Sequence, residues 1–412
     1  MAAEAAADLR PLIVSIVGTR PEAIKMAPVL RALAQSTAVR QQLILTGQHR
    51  ALTPLLPPVP CTTLDPELRD LSVDALRAAI RGSLCGPLAT LPADLVLVHG
   101  DTASALAGAE AAEACGLPVG HVEAGLRSFD LTQPFPEEGY RIAIDRAAAL
   151  LFAPTERAVR NLEAERVRGR IFLTGNTGID ALFEARDRIG PVAAAGHRTV
   201  LVTCHRRENQ GVGLRNLAEI ARRIAAGGGT ELRVVLHPNR LVQAAQRSAL
   251  ADAPVTLLEP LPASAMVREM LSAWLILTDS GGLQEEGAAL GRPVFVLRSV
   301  TERLEAPDNI ELVDTDPDHV CARIEALGGD EVLHARMSVP STAFGDGRAA
   351  ERIAAAIDAH LATRDWSPSR SRRAAGRSGS GRAGFPPRGT RHRIDPPPAS
   401  APASGSGQVP AA

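Results

Sequence analysis

Aromatic residues are scarce: phenylalanine, tyrosine and tryptophan together make up 3% of the 412 residues. So few rings cannot furnish the stacking platforms that hold single-stranded nucleic acid, which argues against that class of partner. The five cysteines, at positions 61, 85, 115, 204 and 321, are scattered and form no C-x-x-C pair. That spacing speaks against a metal ribbon or a disulfide framework and for reduced cytosolic thiols. Long apolar runs are missing as well, since no stretch approaches the ~18 apolar residues of a membrane span. The opening MAAEAAADLR has neither the basic start nor the apolar middle of a secretory signal. A cytoplasmic protein with no membrane partner is expected.

The nucleotide-binding glycine motifs are missing too. TDSGGLQEEGAALG (278–291) places two glycines after an apolar run and before a helical stretch. It lacks both the Gly-Lys-Ser/Thr ending of a P-loop and the G-x-G-x-x-G dinucleotide spacing. Charge balance conceals an asymmetry. The net charge is −1, but from Arg364 onward nine arginines face two aspartates, so a tail of +7 follows a body near −8. This Ser/Arg/Gly/Pro segment, 365–412, cannot bury enough apolar surface to order itself and is expected to be a disordered basic tail with no specific nucleic-acid role.

What remains is rich in one pattern. LIVSIVG (12–18), QLILTG (42–47), DLVLVHG (94–100), PVGHVEAG (118–125), LLFAPT (150–155) and RIFLTGN (170–176) read as buried strands, each followed by a segment of helical period. IGPVAAAGHR (189–198) interrupts the pattern, which restarts with TVLVTCH (199–205), LRVVLHP (232–238), VTLLEP (255–260), LILTDS (275–280) and PVFVLR (293–298). Near-continuous apolar strands between helices indicate parallel sheets covered on both faces. The expected fold is α/β, with two Rossmann-like doubly wound domains at 11–188 and 197–346, and a last helix at 347–363 returning to the first domain.

In open parallel sheets, ligands bind outside the carboxyl ends of the strands. The first strand runs into Gly18-Thr19-Arg20-Pro21-Glu22, with Lys25 one turn on. Pro21 suits a first helical turn, and Arg20 and Lys25 beside a positive helix end make an anion site. The plainer alternative pairs Arg20 with Glu22 and leaves Lys25 to solvent. Asp101 and Glu123 follow two further strands, and PFPEEGYR (134–141) opens a helix with Glu137, Glu138 and Arg141 on one face. Acids at helix starts are often only caps, but three at one sheet edge raise one another's pKa and can supply a general acid and a general base. In the second half, His205 sits between Cys204 and two arginines at a strand end, on the same edge as Ser280-Gly281-Gly282. Glycines there let a diphosphate approach the helix N–H groups, while Glu286, one turn in, suits a neutral diol such as ribose. A sugar nucleotide held between two domains fits best.

Nine blocks in order then carry a resemblance: GTRPEAIKMAPV (18–29), TGQHR (46–50), VHGDT (98–102), GHVEAGLRS (120–128), PFPEEGYR (134–141), FLTGNTGIDAL (172–182), HRREN (205–209), LILTDSGGLQEE (275–286) and TERLEA (301–306). Over residues 12 to about 362 the chain resembles the non-hydrolysing UDP-N-acetylglucosamine 2-epimerases. The resemblance implies the glycosyltransferase-B architecture with the active site in the interdomain cleft, a UDP-sugar substrate, no cofactor, no metal, and a homodimer. It implies that Arg20, His205, Ser280, Gly281 and Gly282 hold the diphosphate, and that Glu286 and Arg303 serve the rest of UDP. Lys25, Asp101, Glu123, Glu137, Arg141 and His205 would surround the sugar. Gln48 and His49 would be the remnant of a regulatory substrate site found in some bacterial members. The segment after them is short and proline-rich here, so a hyperbolic substrate curve is expected.

The sequence departs from the family pattern at Tyr140, where asparagine is usual, and at Leu304, where proline is usual, and the stretch after Glu305 is shortened. Four other readings stay open at this point: a hydrolysing 2-epimerase, a 2-epimerase of a modified UDP-2-acetamido sugar, a UDP-sugar glycosyltransferase, and a non-catalytic sensor. Pro21-Glu22 speaks against the first, and the three carboxylates speak against the last two.

Overall fold

The computed structural model describes residues 8–192, 197–206, 209, 211–298 and 307–362. Seven parallel strands form the first sheet: β1 (Leu12–Val17), β2 (Arg40–Leu45), β3 (Cys61–Thr63), β4 (Ala93–His99), β5 (Val119–Val122), β6 (Leu150–Ala153) and β7 (Arg170–Leu173). Their order is β3-β2-β1-β4-β5-β6-β7. The second sheet, also parallel, comprises β8 (Arg198–Thr203), β9 (Thr230–Val235), β10 (Thr256–Leu258), β11 (Leu275–Thr278), β12 (Val294–Val296) and β13 (Ile310–Leu312) in the order β10-β9-β8-β11-β12-β13. Both orders reverse direction after their first strand, between β1 and β4 and between β8 and β11. Those are the two crevices where a doubly wound sheet receives its ligand.

All eleven apolar runs carry a strand. The two further strands, β3 and β13, are three-residue sheet edges, and β3 is exposed at every position. Ladder hydrogen bonds hold them against Leu43–Leu45 and Val294–Val296, so neither needs an apolar run to form.

Alternation along each central strand sorts its residues between two helical layers. In β1, Val14 and Ile16 join one buried cluster, while Ile13 and Val17 join the other with Met26, Leu30 and Leu33 of the helix Arg20–Gln35. In the second sheet Val200 and Val202 face one way and Leu201 the other.

Two helices tie the halves together. The helix Thr177–Ile189 begins at the first domain, yet its Ile179 and Leu182 are buried against Val267, Ala288 and Ala289 of the second. The last helix, Ala349–Leu361, buries Ile353 and Ile357 in the first domain's core. Its first amides lack a cap of their own, and Asp180 from the linking helix accepts from Ala349 N at 3.1 Å and Ala350 N at 2.8 Å. The chain therefore crosses between domains twice, and both crossings are packed.

Candidate active site

The loop after β1 is shaped by close approach. A Cβ on Gly18 would lie 1.8 Å from Ser104 Oγ, so only glycine fits where strand meets helix. Thr19 then caps the helix Arg20–Gln35, accepting from Glu22 N, and the Glu22 carboxylate accepts from Gly18 N at 2.9 Å and Thr19 N at 2.6 Å. This reciprocal capping box also takes a bond from Thr102 Oγ1 at 2.6 Å. Glu22 is 1% exposed, and burial raises its carboxyl above the usual range. It is thus committed to the backbone, and Arg20 projects as an exposed side chain. Arg20 N donates to His49 Nδ1 at 3.2 Å and Ser104 Oγ donates to Gln48 Oε1 at 2.6 Å, so Gln48 and His49 buttress the same loop.

Lys25, the only lysine among 45 basic Lys and Arg residues, forms an ion pair with Glu123. Glu123 follows β5 with φ +70°, a left-handed backbone that costs a non-glycine residue about 1–3 kcal/mol and is found mostly where function demands it. His99 Nε2 stands 3.5 Å from the Glu123 carboxylate. Burial pushes the His99 imidazole down to about 4, against the opposing pull of Glu123, so the ring is neutral at neutral pH.

Asp101 follows β4 and does not cap the next helix; Thr102 does that, accepting from Ala105 N at 3.0 Å. Both Nε and a terminal nitrogen of Arg141 instead reach Asp101 Oδ2, while the other terminal nitrogen meets Glu138 Oε2 at 2.8 Å. Arg141 also feels Glu123. Asp101, Glu123, Lys25 and Arg141 therefore form one cluster of alternating charge. Glu137 is placed differently: it shares its field with the buried Tyr140 phenol, and its Oε2 is sealed from solvent with no hydrogen-bond partner among the described residues. The acid that answers Arg141 along the helix Glu137–Ala147 is Glu138 at i, i+3, which also accepts from Ser128 N and Phe129 N at 3.0 Å.

Across the cleft, Ser280 stands at the N-cap of the helix Gly281–Ala289, and its side chain makes no capping bond. Among the described residues no side chain caps the first amides of that helix, and the positive end of the helix dipole lies behind them. His205 follows β8, half-buried, with its ring 5.1 Å from that of His237. The fully buried Asp279 organises this edge, its Oδ2 accepting from His205 N at 2.8 Å, Arg206 N at 2.9 Å and Asn209 Nδ2 at 2.9 Å. Burial and the neighbouring Glu285 raise the Glu286 carboxyl to about 7, with Lys25 of the first domain opposing. Glu285 Oε2 accepts from Asn176 Nδ2 at 2.5 Å, a buried bond joining the helix to the linker. Arg303, Arg207, Glu208 and the tail 365–412 lie outside the described residues.

Sequence reasoning placed Glu138 on the face of Arg141 without giving it a role, and missed Asp279 and Asn176. Glu138 carried a signal, since it precedes Arg141 at helical spacing. The other two are recognised only by neighbours distant in sequence.

Two doubly wound domains facing across a cleft, the first edge lined with paired acids and the second with bare helix amides, define a Rossmann-like, glycosyltransferase-B-like protein. Residues 31–358 match the family model described as UDP-N-acetylglucosamine 2-epimerase. The chain is 38% identical over 370 residues to the UDP-N-acetylglucosamine 2-epimerase of Salmonella typhimurium, covering 84% of this chain and 98% of that one. Among solved structures, the Neisseria meningitidis UDP-GlcNAc 2-epimerase bound to UDP-GlcNAc superposes with a TM-score of 0.77 at 32% identity, covering 84% and 99% of the two chains. A putative UDP-N-acetylglucosamine 2-epimerase from Listeria monocytogenes gives a TM-score of 0.76 at 34% identity, covering 85% and 97%. The chain belongs to the UDP-N-acetylglucosamine 2-epimerase family.

Proposed function

We propose that this protein interconverts UDP-N-acetylglucosamine and UDP-N-acetylmannosamine without hydrolysis, by eliminating UDP and adding it back. The C2–H of the sugar is too weakly acidic to be removed alone. A carboxylate takes that proton as the C1–O bond breaks; the C2–H electron pair becomes a C1=C2 double bond, and the C1–O pair leaves with UDP. The 2-acetamidoglucal then regains a proton at C2 on the opposite face while a UDP oxygen re-forms the bond to C1. Two acid/base groups are needed, one for each face, and Asp101, Glu123 and Glu137 are assigned to that work as a set.

The observation that carries this reading is the pairing of Asp101 with Arg141 and of Glu123 with Lys25 at the β4 and β5 ends, beside the crevice of the first sheet. Carboxylates held by cations are fixed in position, and proton transfer to carbon needs that. Arg20, His205, Ser280, Gly281 and Gly282 are assigned to the diphosphate, whose departing charge the helix amides would stabilise. Glu286 is assigned to the ribose diol and Arg303 to the uridine side. Pro21, in the first turn of the helix after β1, and Glu22, which closes the capping box with Thr19, support the non-hydrolysing branch. The test is ³¹P NMR of UDP-N-acetylglucosamine turned over by the enzyme. Two interconverting sugar diphosphates with no rise in free UDP are expected, whereas steady accumulation of UDP with free sugar would establish hydrolysis instead.

A further inference from the structure

Beneath the acidic edge lies a run of charged side chains that the proposed reaction does not use. His121, in β5, is 0% exposed. Its Nδ1 lies 2.6 Å from Asp145 Oδ1 and its Nε2 lies 2.8 Å from the Gly100 carbonyl oxygen. Asp145, also 0% exposed, meets Arg127 at 2.8 Å and accepts from Gly125 N at 3.1 Å. Arg127, 4% exposed, in turn holds Glu165 through two bonds of 2.6 and 2.9 Å. The series Glu165, Arg127, Asp145, His121 thus alternates in sign and joins β5, the loop after it, the helix Glu137–Ala147 and the end of the helix Glu156–Ala164.

Hydrogen-bond inventory settles what the ring does. A carbonyl oxygen only accepts, so Nε2 carries a hydrogen. Asp145 Oδ2 already faces Arg127 at 2.8 Å and accepts from Gly125 N at 3.1 Å, so the carboxylate held by these donors accepts from the ring as well. Nδ1 therefore carries the second hydrogen. Paired in this way, a buried charge is tolerated, and removing one partner leaves the other uncompensated.

The two ends of the series act on the two segments that matter. Gly100, gripped through its carbonyl, immediately precedes Asp101. Gly125, gripped through its amide, ends the turn that begins with Glu123, whose left-handed backbone has to be imposed from outside. Gly125 itself is forced: its φ is +84°, and a Cβ there would lie 2.4 Å from Ala158 O.

We propose that the buried Asp145–His121 pair, backed by Arg127 and Glu165, is a positioning device that fixes the backbones of Asp101 and Glu123 relative to each other. His121 and Asp145 are positioning residues and touch no substrate. The inference rests on the assignment of Asp101 and Glu123 to proton transfer, which turnover by the Glu123→Gln variant tests separately.

The experiment has two arms. In the intact protein, ¹⁵N-histidine labelling should show His121 with hydrogens on both ring nitrogens and slow solvent exchange; a singly protonated ring would overturn the proposal without reference to activity. In the second arm, His121→Gln and Asp145→Asn are compared with the native chain. The folded variants should bind UDP within about twofold of native while kcat falls about a hundredfold, because misplaced acids affect the reacting carbon and not the nucleotide. Native kcat in a folded variant, or UDP affinity lost in step with kcat, would contradict it. Should neither variant fold, the labelling arm decides.

Discussion

The two edges of the cleft are built on opposite plans. On the first, side chains answer side chains: Lys25 with Glu123, Arg141 with Asp101 and Glu138, and Asp145 with His121 and Arg127 beneath them. On the second, a buried carboxylate answers backbone: Asp279 gathers the amides of His205 and Arg206, and the helix Gly281–Ala289 leaves its own amides uncapped. Moving a proton at carbon requires carboxylates fixed in direction, and paired charges fix them. Receiving a diphosphate requires donors already aimed, and backbone amides supply these without freezing long side chains. On the proposed function, the proton transfers fall to the first domain, and the leaving diphosphate is met by the second domain together with Arg20.

That division can be broken from either side. The largest expected effect comes from the first edge: Glu123→Gln removes an acid/base group and should lower kcat by about 10³-fold while UDP binding survives. Steady-state kinetics beside direct UDP titration check this, and parallel loss of both would erase the distinction between the edges. His205→Ala attacks the second edge. Losing one preorganised donor to the departing phosphate should cost ~3 kcal/mol, about 10²-fold in rate. Full turnover in that variant would remove His205 from the site.

A smaller contrast lies in the response to acid. His99 has its pKa pushed down from 6.5 to about 4 by burial. The unfolded chain binds more protons across that interval, so this group's contribution to stability is complete above pH 6.5 and is lost as pH falls toward 4. Glu286 runs the other way, from 4.5 up to about 7. Here the folded chain binds more protons, so the contribution is present below pH 4.5 and is lost as pH rises through 7. Thermal midpoints measured against pH should show His99→Asn flattening the fall on acidification and Glu286→Gln flattening the fall on neutralisation. Identical curves for both variants would mean that neither group is buried as described. The smallest effect is an expected absence of curvature: with the short segment after His49, initial rate against UDP-N-acetylglucosamine should be hyperbolic. A sigmoidal curve would restore a regulatory site around Gln48 and His49.

Much of this was legible in the sequence because parallel sheets write themselves plainly. A strand buried on both faces must be apolar throughout, so eleven strands announced themselves, and the polar residues at their carboxyl ends fell at the cleft. The two unread strands, Cys61–Thr63 and Ile310–Leu312, are edges held by backbone bonds, which leave no apolar trace. Helical spacing allowed Arg141 to meet either Glu137 or Glu138. The choice of Glu138 depends on the amides of Ser128 and Phe129, which come near only through the turn after Glu123. Likewise nothing local marks Asp279 or His121 as central, since their partners lie at Asn209, Gly100 and Asp145. Patterns reveal layers and edges, whereas buried polar networks depend on which loops the fold brings together.

The most direct measurement is proton NMR of UDP-N-acetylglucosamine incubated with the enzyme in D₂O. The account predicts deuterium at C2 of both UDP-N-acetylglucosamine and UDP-N-acetylmannosamine, with the sugar–diphosphate bond intact in each. Inversion without deuterium at C2, or no inversion at all, would contradict it.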